Sequence, residues 1–270
     1  MAYSLGPRAT SAGYRLATFD QIGSTNAEAM SCARDGLAGP MWFVTAEQTA
    51  GRGRRNRAWS SPRGNLYSSV LETMDVAPPV AATLGFAAGL AIEQALQKAS
   101  IEASLRTAGS DHTKFSLKWP NDVLAGSAKL SGILLEAEAM PGKGFAVVVG
   151  MGTNVVAAPE GTPTPATSLR ALGVETSAEQ LFTALSDCWA ECRGIWDDGK
   201  GFGEIRRRWL ALAAGLGQPV AVHTGNATVS GIFDTIDDTG CMIVRTLTGD
   251  SVPISAGDVH FGLAASAGAA

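Results

Sequence analysis

The strongest chemical signal in the sequence lies in segment 51–57, which has arginines at positions 52, 54, 55 and 57 and glycines at 51 and 53. Guanidinium groups bind carboxylates and phosphates through paired hydrogen bonds, and glycine lets a backbone turn and approach a ligand closely. Because four like charges this close repel one another, we expect a loop that stays mobile until an anion neutralises it. A solvated basic loop that contacts nucleic acid is the alternative interpretation.

Two further motifs place polar groups beside apolar strands. In segment 118–122, Lys-Trp-Pro-Asn-Asp, a proline stops a strand. Asp122 is a candidate metal ligand and Asn121 a candidate hydrogen-bond partner of a phosphate; an ordinary turn is the alternative. Farther on, Lys129 enters an apolar strand and Gly132 leaves space beside it. A partly buried ammonium needs an anionic or carbonyl partner, whereas a lysine that extends to the surface needs none.

Several common phosphate and metal motifs are missing from the sequence. Gly150-Met151-Gly152 follows an apolar strand, but the third glycine of the dinucleotide fingerprint is absent. A Gly-x-x-x-x-Gly-Lys-Ser/Thr phosphate loop is absent as well. The three histidines, His112, His223 and His260, are widely scattered. A dinucleotide site and a histidine-based triad or metal cluster are therefore disfavoured.

The composition is that of a folded protein with no global affinity for nucleic acid. Of the 270 residues, 46% are hydrophobic and 17% are charged, and the net charge is −4, which excludes a mainly disordered chain and a basic coat protein. Cys188 and Cys192 lie one helical turn apart with no histidine nearby, so we expect reduced cysteines in a core. Residues 1–15 have no apolar signal region, and the apolar stretch 84–96 is too short to span a bilayer. We therefore expect a cytoplasmic protein.

The pattern of apolar residues predicts the main secondary-structure elements. A helix is predicted to begin at Ser24-Thr25-Asn26, with Thr25 and Glu28 forming a capping box. Residues 1–13 are predicted to be a loose arm. Strands are predicted over 41–46, 65–72, 115–119, 122–125, 130–137 and 145–152, and helices over 80–99, 177–197 and 202–213.

The residue pattern changes near residue 215, from long helical and strand segments to short β-prone runs. Short β-prone runs follow at 219–223, 228–234, 242–247 and 251–254, separated by turn sequences such as Gly225-Asn226. Such spacing favours a small barrel. We therefore predict a catalytic domain over 1–215, a small β domain over 216–263 and a disordered tail over 264–270.

Five motifs, taken in this order, resemble the motif set of biotin protein ligases. They are Ser24-Thr25-Asn26, segment 48–57, segment 118–122, Lys129-Leu130-Ser131-Gly132-Ile133 and Gly150-Met151-Gly152-Thr153-Asn154. Each motif alone is modest, but five in this order and at compatible spacing are specific. The resemblance covers residues 20–155, and the predicted barrel resembles the small C-terminal domain of that family. It implies an α+β fold, with a mixed sheet flanked by helices as in class II synthetases, followed by an SH3-like β-barrel.

The resemblance also implies an activity. Members of the family use ATP and Mg²⁺ to activate biotin to biotinyl-5′-AMP, and then transfer biotin to one lysine of the biotin carboxyl carrier domain of acetyl-CoA carboxylase or a related carboxylase. Lys129 and Arg54 would then be catalytic. The residues that would contact biotin are Ser24, Thr25, Asn26, Gln48, Gly51, Arg52, Gly53, Arg54, Lys129 and Gly132. Those that would contact ATP are Arg54, Arg57, Trp59, Asn121, Asp122 and Asn154, with Asp122 also the expected ligand of Mg²⁺.

The sequence departs from the family pattern at three places. Asn56 stands where the family usually has glycine, and we expect the turn to survive because asparagine tolerates a positive φ. Ala58 replaces a basic residue, which removes a minor phosphate contact. Only 23 residues precede Ser24, too few for the DNA-binding domain of some members, so we expect an enzyme without DNA binding.

Other interpretations stay open at this point. A lipoate or octanoate ligase or transferase would share the same fold, and a non-catalytic nucleic-acid-binding module would explain the arginine loop. The acidic net charge disfavours the second. The sequence leaves a monomer and a homodimer equally possible, and it identifies no base for the acceptor lysine.

Overall fold

The computed structural model describes residues 2–107, 113–140, 142, 144–162, 164–225 and 227–261. The helices are α1 (Pro7–Ser11), α2 (Thr25–Arg34), α3 (Pro78–Ala82), α4 (Leu84–Thr107), α5 (Ala178–Trp196) and α6 (Phe202–Ala211). The strands are β1 (Arg15–Phe19), β2 (Met41–Thr45), β3 (Leu66–Met74), β4 (Phe115–Lys118), β5 (Asp122–Ala125), β6 (Ala128–Met140), β7 (Gly144–Thr153), β8 (Pro219–His223), β9 (Thr228–Ile236), β10 (Met242–Arg245), β11 (Ser251–Ile254) and β12 (Asp258–Phe261).

Seven strands form one mixed sheet in the order β1-β2-β3-β7-β6-β5-β4. β1 runs parallel to β2, and every other neighbouring pair is antiparallel. All six strands predicted between residues 41 and 152 are present as β2 to β7, and the predicted α+β class is confirmed. Strand β1 was missed, because its Arg-Leu-Ala-Thr-Phe sequence is short and occupies a half-exposed edge.

Side chains alternate between the two faces of the sheet, and each face packs against different helices. On one face, Trp42, Val70 and Val149 join the core formed with α4 and α5. On the other face, Phe43 and Val148 join a smaller cluster with the apolar side of α2. This second face carries the pocket, because α2 covers only part of it and begins above the centre of the sheet.

The helix predicted over 80–99 is interrupted and extends farther than expected. It consists of α3 and α4, which meet at Thr83, and α4 continues to Thr107. The expectation of a short apolar stretch concerned residues 84–96, but the helical stretch that contains them, Pro78–Arg106, is long and apolar enough to cross a membrane by length and composition. Most of its apolar window is buried within the protein, where α4 packs against α5, α6 and the sheet. Its apolar composition is therefore explained by a place in the core.

The small C-terminal sheet has five antiparallel strands in the order β11-β10-β9-β8-β12. The four predicted runs correspond to β8, β9, β10 and β11. The fifth strand, β12, pairs with β8 rather than with its chain neighbour β11. Trp119 connects this sheet to the larger one, because its indole N–H donates to the carbonyl of Gly240 at 3.2 Å. Asn226 and the predicted tail over 264–270 lie outside the described residues.

The N-terminal residues dock on α5, and the prediction of a loose arm over 1–13 was wrong for the described part. The Gly6 N–H donates to Ser186 Oγ at 2.9 Å, and the Ala9 N–H donates to Asp187 Oδ1 at 3.0 Å. Arg8 also pairs with Glu191 at 2.7 Å. Composition could not reveal this docking, since the acceptors lie nearly 180 residues away in the chain.

Replacing Asp187 with alanine should release α1 from α5. The variant loses the acceptor for a backbone N–H in the first turns of α1, which we expect to cost about 1 kcal/mol. Trypsin should then cleave after Arg8 faster than in the parent protein. Glu191→Ala is the control, because it removes only an exposed ion pair of small energetic value. Equal cleavage of the two variants would contradict the docking role of Asp187.

Candidate active site

The pocket lies at the N-terminus of α2, between that helix, the segment 46–64 and the central strands. Ser24 caps the helix, since its Oγ accepts from the Ala27 N–H. The predicted capping role of Thr25 was therefore wrong by one residue. Thr25 instead donates its N–H and its Oγ1 hydroxyl to Gln48 Oε1, at 2.9 and 3.2 Å. The capping register thus aligns Gln48 with the start of the helix.

Polar and apolar groups share the lining of this pocket. The lining residues are Ser24, Thr25, Asn26, Gln48, Arg52, Trp59, Tyr67, Ser68, Leu134, Gly150, Met151 and Gly152. Six of the residues predicted as binding residues are therefore brought together here: Ser24, Thr25, Asn26, Gln48, Arg52 and Trp59. The hydroxyl and amide groups lie on the α2 side, and a guanidinium lies at the loop side.

A row of directly paired residues crosses the sheet beneath the pocket. In order from β3 to β4, the row is Tyr67, Gly152, Gly132, Asp122 and Lys118. Directly paired residues share one face of a sheet, so the two glycines form a floor without side chains. A Cβ on Gly152 would lie 2.8 Å from the Trp59 ring, and one on Gly132 would lie 3.0 Å from it. The glycines therefore allow the indole to lie against the sheet.

Lys129 lies at the edge of this floor and is partly buried. Its ammonium is 2.6 Å from Asp122 Oδ1 and 5.2 Å from the centre of a Trp59 ring. The backbone is fixed on both sides, because the Lys129 N–H donates to Pro165 O and the Thr167 N–H donates to Lys129 O. Asp122 is the anionic partner that a buried ammonium requires, and the surface-lysine alternative is not what the structure shows.

The arginine loop closes over the sheet toward the small C-terminal sheet. Arg54 donates to Asn121 Oδ1 at 3.2 Å and to Gly257 O at 3.5 Å. Burial lowers the pKa of Arg54. Glycine is required at position 51, where a Cβ would lie 2.7 Å from the carbonyl oxygen of Trp59. At Gly53 the nearest atom to a Cβ is 3.6 Å away, so ordinary contact is possible there.

Asp258 on β12 neutralises two of the loop arginines. Its Oδ2 accepts from Arg55 at 2.9 Å and from Arg57 at 2.7 Å. Burial opposes ionisation of this carboxyl, but the hydrogen bond from Arg57 and the surrounding guanidinium charges outweigh it, so the pKa of Asp258 lies below its usual value. Sequence analysis missed Asp258, because only the folded chain places β12 beside a loop about 200 residues earlier.

The turn of the loop uses the left-handed region of backbone conformation. Arg55 has φ of 55° and Asn56 has φ of 56°. The expectation that asparagine would support this turn in place of glycine is confirmed. Arg55 was not expected there, and its side chain reaches Asp258 from this conformation.

Two predicted residues are committed to the protein's own hydrogen bonds. Asn26 accepts from Ser69 Oγ at 2.6 Å and donates to Leu134 O and to Glu136 Oε2, at 3.2 and 2.8 Å. Asn154 is buried and donates to Thr167 O at 3.1 Å. Asn26 therefore shapes the pocket wall, whereas Asn154 does not belong to the described pocket lining.

Lys118 is a site candidate to which the sequence analysis gave no role, although it begins one of the quoted motifs. Burial lowers the pKa of its ammonium, against the opposing charge of Asp122. The ammonium also lies 5.5 Å from the centre of the Phe261 ring on β12. The structure indicates a role for Lys118 because it pairs directly with Asp122 across β4 and β5. The spacing of these residues in the sequence did not reveal this pairing.

Comparison with known proteins places this fold and site in one class. The model described as "Biotin/lipoate A/B protein ligase family" matches residues 20–154, and the model described as "Biotin protein ligase C terminal domain" matches residues 215–262. A biotin protein ligase from Aquifex aeolicus, solved in complex with biotin and ATP, has a TM-score of 0.74 at 24% identity and covers 92% of this chain and 99% of its own. The fold is therefore that of a biotin protein ligase.

Curated relatives narrow the class to one family. The biotin--[acetyl-CoA-carboxylase] ligase of Paracoccus denitrificans is 38% identical over 245 residues, which cover 88% of this chain and 97% of the relative. The enzyme of the same name from Mycobacterium tuberculosis (strain ATCC 25618 / H37Rv) is 35% identical over 244 residues, 88% of this chain and 86% of the relative. The chain belongs to the biotin protein ligase family.

Removing the charge of Asp258 should loosen the arginine loop. In Asp258→Asn, Arg55 and Arg57 lose their ionic partner, so trypsin should cleave segment 54–57 several-fold faster. The control is Asp234→Asn, which breaks an exposed pair with Arg245 elsewhere in the same small sheet. Because the pKa of Asp258 is lowered, protection of the parent loop should be equal at about pH 7 and pH 8.5. Equal cleavage of both variants would contradict this role.

Adding one methyl group at Gly150 should distort the pocket wall. A Cβ there would lie 2.2 Å from Asn26 Oδ1, and Asn26 is held by Ser69 and Leu134 and cannot move freely. We expect Gly150→Ala to cost about 1–3 kcal/mol of unfolding free energy, measured by urea denaturation. Gly194→Ala is the control, since nothing lies within 4 Å of its Cβ and alanine favours a helix. An unfolding free energy of Gly150→Ala equal to that of the parent protein would contradict this prediction, because it would show that Asn26 can move away from the added methyl group.

Proposed function

We propose that this chain is an ATP-dependent biotin protein ligase. It activates the carboxylate of biotin to biotinyl-5′-AMP and then transfers biotin to a lysine of a biotin carboxyl carrier domain. The observation that carries the proposal is the closure of a guanidinium loop over a pocket whose other end is lined by hydroxyl and amide groups. The relatives named biotin--[acetyl-CoA-carboxylase] ligase support it.

The chemistry requires cations at the position where the loop meets the sheet. A carboxylate that attacks the α-phosphate of ATP brings two anions together, and two unit charges 4 Å apart repel by about 4 kcal/mol at an effective dielectric constant near 20. Arg52, Arg54 and Lys129 are cations that the fold brings to this part of the site. Positioning and charge compensation by these groups would supply most of the rate increase.

The proposed orientation of biotin follows from the polarity of the pocket. Ser24, Thr25 and Gln48 would bind the ureido ring, with Asn26 holding the wall beside it. Arg52, Gly53 and Arg54 would fold over the carboxylate. Gly51 permits the close approach of the loop, Gly132 keeps the floor open, and Lys129 would bind the carbonyl oxygen at the reacting centre.

The nucleotide would extend along the sheet from the glycine floor toward Lys118. Trp59, Asn121 and Asp122 lie along this direction, and Arg57 lies at the far end beside Asp258. Asn154, an ATP contact by the resemblance, donates to Thr167 O, and the Thr167 N–H donates to Lys129 O, so Asn154 would also support the backbone at Lys129. The adenylate hydrolyses readily, so a loop that excludes water from it has a chemical purpose.

Asp122 fits the role of a magnesium ligand. In the described part of the chain, no group of three His, Cys, Asp or Glu side chains is arranged to hold a metal. Mg²⁺ commonly uses one or two carboxylates together with substrate phosphates. Asp122 Oδ1 is buried, makes no hydrogen bond of ordinary geometry and pairs with the Lys129 ammonium at 2.6 Å, so this oxygen already faces a cation. When bound, Mg²⁺ would neutralise phosphate charge, while Lys129 and Asn121 orient the groups around it.

The remaining assignments concern the setting of the enzyme. We propose a cytoplasmic enzyme, because all four cysteines are free and a reducing compartment keeps thiols reduced. Its partner would be the carrier domain of acetyl-CoA carboxylase or a related carboxylase, and DNA and membranes would not be partners. Monomer and homodimer both stay compatible with this function. We also propose the division into a catalytic domain over 1–215 and a β domain over 216–263, which the separate sheets support.

A transfer assay tests the proposed function. The protein is incubated with ATP, a carrier domain and either biotin, lipoate or octanoate, and the carrier is examined by mass spectrometry. We expect a biotin adduct that depends on ATP. An adduct from lipoate or octanoate with none from biotin would instead show a lipoate or octanoate ligase or transferase of the same fold.

Replacing Lys129 with alanine should abolish activation more than binding. The variant loses a cation at the reacting centre, and we expect kcat for adenylate formation to fall by about 10² to 10³, with the dissociation constant for biotin changed far less. Pyrophosphate release measures the rate, and calorimetry measures binding. Lys200→Ala is the control, since Lys200 is an exposed residue that pairs only with Asp197 among the described contacts. A parent-like rate for Lys129→Ala would reject the assignment.

A further inference from the structure

Glu136 is an acidic side chain at the rim of the pocket, and the sequence analysis gave it no role. It lies on β6, and strand alternation places it on the same face as Gly132 and Leu134. Leu134 lines the pocket. The side chain of Glu136 is 34% exposed, so it stands at the boundary between the pocket wall and solvent.

The first contact of Glu136 orients Asn26. Glu136 Oε2 accepts from Asn26 Nδ2 at 2.8 Å, while the carbonyl side of the same amide accepts from Ser69 Oγ at 2.6 Å. These two contacts fix which end of the amide faces each neighbour. Asn26 is buried, and it lies directly above Gly150, which has no room for a methyl group. Glu136 therefore helps to hold a rigid part of the wall.

The second contact of Glu136 holds the arginine loop. Both carboxylate oxygens lie near Arg52 Nη2, at 3.4 and 3.5 Å. This pair is longer than that between Arg57 and Asp258, at 2.7 Å. Arg52 lines the pocket and keeps further N–H donors, since a guanidinium has five. A loose pair of this kind keeps Arg52 over the pocket and leaves it able to bind an incoming anion.

We propose that Glu136 is a positioning residue that couples the pocket wall to the arginine loop. It neutralises Arg52 against the repulsion of the other loop arginines, and it holds Asn26 in one orientation. The inference rests on the proposed function, because the anion that Arg52 then receives is the carboxylate of biotin and later the phosphate of the adenylate. Glu136 itself does not touch the reacting atoms.

The same strand offers a matched control. Glu138 lies two residues farther along β6 on the same face, and it pairs with Arg34 on α2 at 2.6 Å. This pair is also partly exposed, but neither residue lines the pocket. Glu138→Gln therefore removes one negative charge and one ion pair from the same strand without altering Arg52 or Asn26.

The experiment compares Glu136→Gln, Glu136→Ala and Glu138→Gln in the full chain. Biotinyl-AMP is formed from biotin and ATP without a carrier domain, and its release is followed after the excess ligand is removed. Glutamine still accepts from Asn26 but has no charge for Arg52, so we expect release about threefold faster with KM for biotin unchanged. Alanine loses both contacts, so KM for biotin should also rise about tenfold. Glu138→Gln should match the parent protein.

A double variant isolates the coupling to Arg52. In an Arg52→Ala background, Glu136→Gln should have no further effect on release, because its partner is already absent. Equal release rates for Glu136→Gln and Glu138→Gln would overturn the inference, as would additive effects of Glu136→Gln and Arg52→Ala. If the parent protein forms no biotinyl-AMP, the proposed function fails instead. Thermal melting of each variant shows whether a changed rate comes from unfolding, and a rate change matched by lost stability would also overturn it.

Discussion

Four guanidinium groups on one short loop are the constraint around which the site is arranged, because their mutual repulsion must be offset before the loop can close. The chain offsets it with acids from distant parts of the fold. Asp258 of the small sheet receives Arg55 and Arg57, and Glu136 of the central sheet receives Arg52. Partly exposed pairs such as these each contribute up to about 1 kcal/mol. Their joint effect is a loop that is closed but still able to exchange its partners for a substrate anion.

The arginine loop can lie close to the sheet because the sheet beneath it carries no side chains at two paired positions. Gly132 and Gly152 face each other across β6 and β7, and their missing side chains admit the Trp59 indole. Any larger residue at either position would lift the indole and, with it, the segment that continues from the arginines. The strand register then extends from this floor to Asp122 and Lys118. One carboxylate and then one ammonium therefore follow the glycine floor across the sheet.

The sequence predicted most elements and six of the twelve residues that line the pocket, and most of the failures share one physical cause. Strands β2 to β7 follow from apolar runs and turn residues, whereas the binding roles expected for Ser24, Gln48 and Arg52 come from the resemblance of their motifs to a known family. Asp258 and Glu136 carry no local signal, since their roles arise from partners on other strands. The docking of α1 on Asp187 was not predicted for the same reason, since the two partners are distant in the sequence. The error at the helix cap has a different cause: serine and threonine can both cap a helix, serine is the better of the two, and Ser24 has the extended backbone of an N-cap.

The contacts of the loop also connect the small C-terminal sheet to the site. Arg54, proposed to act at the reacting centre, donates to Gly257 O just before β12, and Asp258 follows in the next position. Trp119, which follows Lys118 at the end of β4, donates to Gly240 O in the turn between β9 and β10 of the small sheet. The small sheet is thus fixed to the floor on one side and to the loop on the other. Through these two hydrogen bonds the small sheet contacts both the arginine loop and the end of β4, so a shift of the small sheet would move Arg54 relative to Lys118.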